Sequence, residues 1–162
     1  AYIYHTKAYG AAVGSVNVSS PKPCEVEVRV LLKDGSLPSQ ALLDGILEYL
    51  DDDKIRPLTD RVKVLSPSTR EYDLDVEYYI AKSNASRAVS IQAAVSAAVA
   101  GYHEWQTKEI GRDINPSELV RRMVEAGAKR VVVKSPEFVS LPPSTVARTG
   151  RAAVAYGGIE DD

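Results

Sequence analysis

Strict alternation of apolar and charged residues across positions 61–80, RVKVLSPSTREYDLDVEYYI, constrains this chain more than any other stretch. Val62 and Val64 alternate with Arg61 and Lys63. Tyr72, Leu74, Val76, Tyr78 and Ile80 alternate with Glu71, Asp73, Asp75 and Glu77. A period of two puts each apolar set on one face of an extended backbone, so two half-buried strands are predicted. With Pro67, Ser68 and Thr69 as the turn, they pair as a hairpin with Val64 opposite Tyr72 and Val62 opposite Leu74. The same register sets Lys63 against Asp73 and Arg61 against Asp75, each pair contributing about 0.2–1 kcal/mol. Such a hairpin is explained by packing and asks for no catalysis.

The pattern V-x-V-x-S-P of this stretch recurs at 15–21 (SVNVSSP) and 130–136 (RVVVKSP). The first copy leads into EVEVRVLL at 25–32, which again alternates; with Pro21, Lys22 and Pro23 as the loop, Val18 faces Val26. The third is followed, after a longer proline-containing loop, by RAAVAY at 151–156, predicted as its hairpin partner. The unit repeated is a helix and then two strands, a pattern compatible both with duplication and with convergence on a good hairpin.

Helices fill the intervals. Residues 1–12 are weakly helical and interrupted by Gly10, and with no initial Met the chain is expected to be a fragment or a processed form. Asp34-Gly35-Ser36 is a turn signal, Pro38 suits a first helical turn, and Leu42, Leu43, Ile46, Leu47 and Leu50 give residues 39–50 one apolar face. Asp51, Asp52 and Asp53 end that helix as a solvated terminus, since no Gly or Glu follows at calcium-loop spacing. Residues 85–110 read as a long helix with Ala88, Ile91, Val95, Val99, Tyr102 and Trp105 or Gln106 on one side. Its small-residue middle, AAVSAAVAG, is expected to lie close against the sheet or another helix. In 111–130, Asn115 is the N-cap, Pro116 the first helical residue and Glu118 the third, an Asn-led capping box. Leu119, Val120, Met123 and Val124 form its buried face and Gly127 closes it. The fold class is α+β: antiparallel hairpins packed against amphipathic helices in two small domains, 1–55 and 56–162, with Pro57 at the boundary and Pro67 as its rival.

Chemistry is sparse. His5 and His103 have no ligand partner at helical spacing, and the single Cys24 makes neither an internal disulfide nor a zinc site. A Cys24–His103 nucleophile pair has nothing in the sequence to activate it. The glycines form no phosphate-binding loop. Arg121, Arg122, Lys129 and Arg130 read as surface charges or ion-pair partners. A net charge of −2 argues against nucleic acid or an anionic membrane as the main partner. No apolar run approaches the ~20 residues of a membrane span.

Five segments taken in order resemble the baseplate J-like family of contractile-tailed bacteriophages and prophages: IRPLTDRVKVLSP at 55–67, YDLDVEYYI at 72–80, GRDINPSELV at 111–120, AGAKRVVV at 126–133 and YGGIEDD at 156–162. The resemblance covers nearly the whole chain and places it in the C-terminal portion of a longer protein. It implies a structural component of the baseplate wedge, made in the bacterial host cytoplasm and located in the virion tail. Its partners would be other baseplate wedge and tail proteins, including those that attach fibres, around the central hub. A homo-oligomeric ring is implied only in the assembled baseplate, so the isolated chain is expected to be monomeric by light scattering. The resemblance transfers no catalytic residue, cofactor or metal ligand, and implies no nucleic-acid or membrane partner. By position it marks Gly111, Arg112, Asp113, Ile114 and Asn115, together with Tyr156, Gly157, Gly158, Glu160, Asp161 and Asp162, as candidate partner contacts. The structural alternative for the first group is a tied inter-helix loop. For Glu160–Asp162 it is a frayed terminus, against an acidic end free to meet a basic neighbour. The alternative function is a small α+β module binding nucleic acid or protein; Glu71, Asp73, Asp75 and Glu77 on its open sheet face would repel phosphate.

Overall fold

Strands form wherever the sequence alternates, in a computed structural model that describes residues 1–52 and 54–162. In chain order these elements are α1 (Tyr2–Tyr9), β1 (Val13–Ser19), β2 (Glu25–Leu32), α2 (Gln40–Leu50), β3 (Arg61–Leu65) and β4 (Ser68–Ala81). A 3-10 segment (Lys82–Arg87) then leads to α3 (Ala88–Thr107), α4 (Pro116–Glu125), β5 (Arg130–Ser135) and β6 (Thr145–Glu160). The strands make two three-stranded sheets, ordered β1-β2-β3 and β5-β4-β6. The α+β class therefore stands. The chain divides into two compact units: Ala1–Thr69 with Lys108–Arg112 and Leu141–Val146, and Arg70–Thr107 with Asp113–Ser140 and Ala147–Asp162.

In the first unit β1 and β2 form the expected antiparallel hairpin, but Val18 pairs with Val28 rather than Val26. The loop runs on to Cys24, whose φ of 64° places it in the left-handed region, so the arms meet later. A shift by two leaves every valine on its original face. Gly14 sits where the register slips between Val13 and Ser15, and a Cβ there would lie 2.7 Å from the Lys33 backbone. Helix α2 starts as read, except that Pro38 precedes the cap: the Ser39 side chain accepts from the Leu42 amide, and Leu43, Ile46 and Leu50 are buried. They close a core of Val13, Val26, Val28, Val30 and Val64.

β3 departs from the predicted hairpin. It does not turn back on β4; it crosses over through α2 and pairs parallel with β2, Val62 beside Val26 and Val64 beside Val28. Arg61 then faces Glu25 and Lys63 faces Glu27, in place of Asp75 and Asp73. Both neighbouring strands offer alternating acids, so charge alternation alone does not choose between them. Asp51 at the end of α2 lies 2.8 Å from Arg56 Nε, and Asp52 Oδ1 accepts from the Lys54 amide. The third aspartate of that run, Asp53, lies outside the described residues.

In the second unit β4 is central. β5 pairs with it antiparallel, Val76 to Val133 and Tyr78 to Val131. β6 occupies the other side, so the predicted β5–β6 hairpin does not form. Thr149 approaches Tyr72 and Tyr156 approaches Tyr78, so β6 runs in the same direction as β4. The inner face of β4, from Tyr72 to Ile80, is buried, as are Ile91, Val95, Val99, Tyr102 and Gln106 of α3. The alanines of α3 behave otherwise than expected: Ala93, Ala94, Ala97 and Ala100 face outward, because the larger Ile91, Val95 and Val99 one or two positions away bury more apolar surface. On α4 Leu119 and Met123 are buried while Val124 stays 46% exposed.

Candidate functional site

The first candidate segment is shaped by its own backbone. Gly111 has φ +81°, its amide donates to the Thr145 carbonyl at 2.7 Å, and a Cβ would lie 3.2 Å from the Pro143 backbone. Only glycine meets all three conditions without strain. The chain leaves the first unit after Arg112 and enters the second at Asp113. There Gln106 is the organising residue, fully buried one turn beyond Tyr102. Its Oε1 accepts from the Tyr102 hydroxyl and from the Asn115 amide, both at 3.0 Å, and its Nε2 donates to the Asp113 carbonyl at 2.8 Å. Burial holds the Tyr102 phenol well above its ordinary pKa, with the Tyr72 and Glu118 side chains adding to the effect. Ile114, 1% exposed, exchanges backbone hydrogen bonds with Val139.

Asn115 caps α4 by accepting from the Ser117 amide at 3.1 Å. The reciprocal arm of the capping box is not made: Glu118 turns to Arg121 and Arg122 instead, at 2.6 and 2.9 Å. Hydrogen bonds from Arg121 and then Arg122 draw its carboxyl down to about 2 against the cost of partial burial. Two adjacent guanidiniums outcompete one backbone amide, because both partners of those bonds carry charge. The tied-loop reading of 111–115 thus has a physical basis in Gly111, Asp113, Ile114 and Asn115.

The second candidate segment is equally engaged within the chain. The ring of Tyr156 lies 5.4 Å from that of Tyr78, and Gly157 passes so close to Tyr79 that a Cβ would stand 2.4 Å from its ring. Glu160 ends β6 between Lys129 and Arg130, and Arg130 also stacks on Tyr79 at 4.3 Å. Arg130, with Lys129 behind it, brings the Glu160 carboxyl down to about 2. Asp162 Oδ1 accepts from the Ser83 amide at 3.0 Å, and Asp161 lies 3.7 Å from Lys82. Of the acidic end, Glu160 is thus met by the chain's own cations, while the Asp161 side chain stays 93% exposed. This also accounts for the basic cluster, since Arg121 and Arg122 serve Glu118 while Lys129 and Arg130 serve Glu160.

His103 and Cys24 fall in different units. His103 Nδ1 is 2.7 Å from the Tyr72 hydroxyl and 3.3 Å from Thr149 Oγ1, and burial lowers its pKa. Cys24 is exposed in a shallow depression with Pro23, Glu25, Thr59 and Arg61. Among the described residues no group of three or more His, Cys, Asp or Glu side chains is arranged to hold a metal, and no helix is long and apolar enough to cross a membrane. Sequence reading left two features unused: the hub made by Gln106, whose signal was a polar residue on an apolar stripe, and the exposed outer edge of β6. What these surfaces offer chemically is recognition by shape, backbone and charge.

The structure defines the chain by class as an α+β protein with two three-stranded sheets. Residues 1–66 match the family model of the Baseplate J-like central domain, and the resemblance to the baseplate J-like family stands. The chain is 30% identical over 137 residues to baseplate protein J of Escherichia phage P2, an alignment that takes in 84% of this chain and 44% of the phage protein. In fold it is similar to a chain of the cryo-EM structure of the anti-feeding prophage baseplate, 6-fold symmetrised, with a TM-score of 0.55 at 11% identity. That match covers 89% of this chain and 35% of the other. The chain thus spans less than half the length of either relative.

Proposed function

We propose that the chain is part of a structural protein of a phage or prophage tail baseplate, acting in the wedge around the hub. The observation that carries this reading is the 30% identity to a phage baseplate protein, sustained over 137 residues. Its partners are neighbouring baseplate proteins and those that attach tail fibres. Copies of the protein meet in a closed ring, where many weak contacts reinforce one another. The role needs no catalysis, and the tethering of His103 to Tyr72 and Thr149 suits a core side chain rather than a free base. Segments 111–115 and 156–162 act as contact surfaces, the first through its fixed backbone and the second through the exposed edge of β6, where the Glu160 carboxylate is already met by Lys129 and Arg130. Epitope tagging of the full-length protein tests the reading. The tag is expected on purified tails at the baseplate end by immunoelectron microscopy, with baseplate-less tails when the gene is deleted. Normal baseplates in the deletion strain would overturn it.

A further inference from the structure

The outer edge of β6 lacks the usual protection. β6 is a terminal strand of its sheet, and residues 151–157 are all exposed. Between Arg151 and Glu160 it carries neither charge nor proline, and Val154, Tyr156 and Ile159 stay 41%, 37% and 44% exposed. An edge strand presents unpaired N–H and C=O groups, and natural sheets guard it with charges, prolines or brevity. The opposite edge has all three guards: β5 is 6 residues long, carries Arg130 and Lys134, and runs into Pro136.

A separate feature states what would cover β6. The open face of β4 presents Glu71, Asp73 and Asp75, all exposed, at alternate positions. Among the described residues none of the three stands in an ion pair. Ala153 borders the same depression as Asp73 and Asp75, and alternation puts Ala155 on that face too. Asp73 Oδ1 already accepts from the Arg151 amide at 2.9 Å, and Arg151 borders the same depression. At Gly150 and Ala153 nothing larger than a methyl group stands between the edge and Glu71 and Asp75. A strand added to β6 would lie two strand spacings, about 9.6 Å, from β4, a gap that a lysine and an aspartate side chain close between them.

We infer that β6 accepts an added β-strand from a partner protein, with lysine or arginine at alternate positions reaching across Gly150 and Ala153 to Glu71 and Asp75. Main-chain hydrogen bonds supply affinity and the acidic row supplies register and selectivity. A second copy paired through its own β6 does not meet the requirement, because that strand brings no cation between Arg151 and Glu160. The inference rests on the assembly reading for the existence of such a partner, not for the acceptor geometry.

The test titrates the 162-residue chain with two synthetic peptides, one alternating lysine with valine and one alternating glutamate with valine. Hydrogen exchange is followed residue by residue. The lysine peptide is expected to protect amides in 151–157 and the glutamate peptide to leave them unchanged. Glu71→Lys with Asp75→Lys reverses that preference by at least tenfold. Should the reversed variant fail to fold, the neutral pair Glu71→Gln and Asp75→Asn is expected to weaken the lysine peptide by at least tenfold. Equal binding of both peptides, protection of β5 instead, no protection at all, or self-association through β6 would each overturn the inference. Entry into the baseplate is read separately on tagged particles, so a failed titration leaves that reading intact, and failed incorporation leaves the strand acceptor intact.

Discussion

Replacing Gln106 by leucine removes its hydrogen bonds to Tyr102, Asp113 and Asn115 while keeping nearly the same volume, and the cost of losing these can be built from the geometry. The Tyr102 hydroxyl loses the acceptor 3.0 Å away in a fully buried site. A buried donor left unsatisfied costs about 1–3 kcal/mol. The Asp113 carbonyl and the Asn115 amide also lose their partner. Both lie near the surface and recruit water, so each costs about 0.5–1.5 kcal/mol. Burying leucine instead of an amide returns about 1 kcal/mol. The net loss is about 3 kcal/mol, equivalent to a fall in Tm of roughly 6–12 °C for a chain of this size. Urea unfolding of four proteins reads the effect: wild type, Gln106→Leu, Tyr102→Phe and the double variant. Phenylalanine at 102 alone costs about 1 kcal/mol, yet in the leucine background it removes the orphaned hydroxyl and is expected to recover about as much. Exchange of the Asn115 amide should accelerate in step. A loss below about 1 kcal/mol for Gln106→Leu, or strict additivity of the two substitutions, would refute the assignment of Gln106 as the hub of this loop.

Three further outcomes follow from the same structure. His103 has a folded pKa below its ordinary value through burial, so the unfolded chain takes up its proton first on acidification. Its contribution is complete above about pH 6.5 and is lost as pH falls below that value, and His103→Gln should abolish this part of the slope in urea midpoints measured at pH 7.5 and 5.5. Glu118, held at about 2 by Arg121 and Arg122, also has a depressed folded pKa. The stability gap between wild type and Glu118→Gln is therefore expected at neutral pH, to shrink as pH falls below the ordinary value of 4.5 and to be nearly gone at about 2; a gap constant across that window would contradict it. Gly111→Ala forces a side chain to φ +81° with the Pro143 backbone at 3.2 Å, a loss of about 1–3 kcal/mol in thermal unfolding.

Much of the local structure was legible in the sequence, and particular residues explain where legibility stopped. Asn115 and Pro116 announced the start of α4, and the spacing of Ile91, Val95, Val99 and Tyr102 announced the buried stripe of α3. The same reading took AAVSAAVAG for a packing face, because alanine is compatible with close approach as well as with exposure. Of the candidate contacts, Gly111 and Asn115 could be read as fold-determining residues, whereas the ties of Glu160 to Lys129 and Arg130 join positions far apart in the chain.

The alternation at 61–65 and 72–80 was enough to specify strands and which side of each is buried, since the direction of a side chain is set by its own backbone. Which strand each one pairs with was decided only in three dimensions. Arg61 and Lys63 meet Glu25 and Glu27 across a parallel crossover, and β6 lies along β4 instead of β5. Hydrogen bonds between strands join backbone groups that every sequence possesses. Where two neighbours carry the same alternation of valine and acid, loop lengths and the helices that must be housed between strands select the partner.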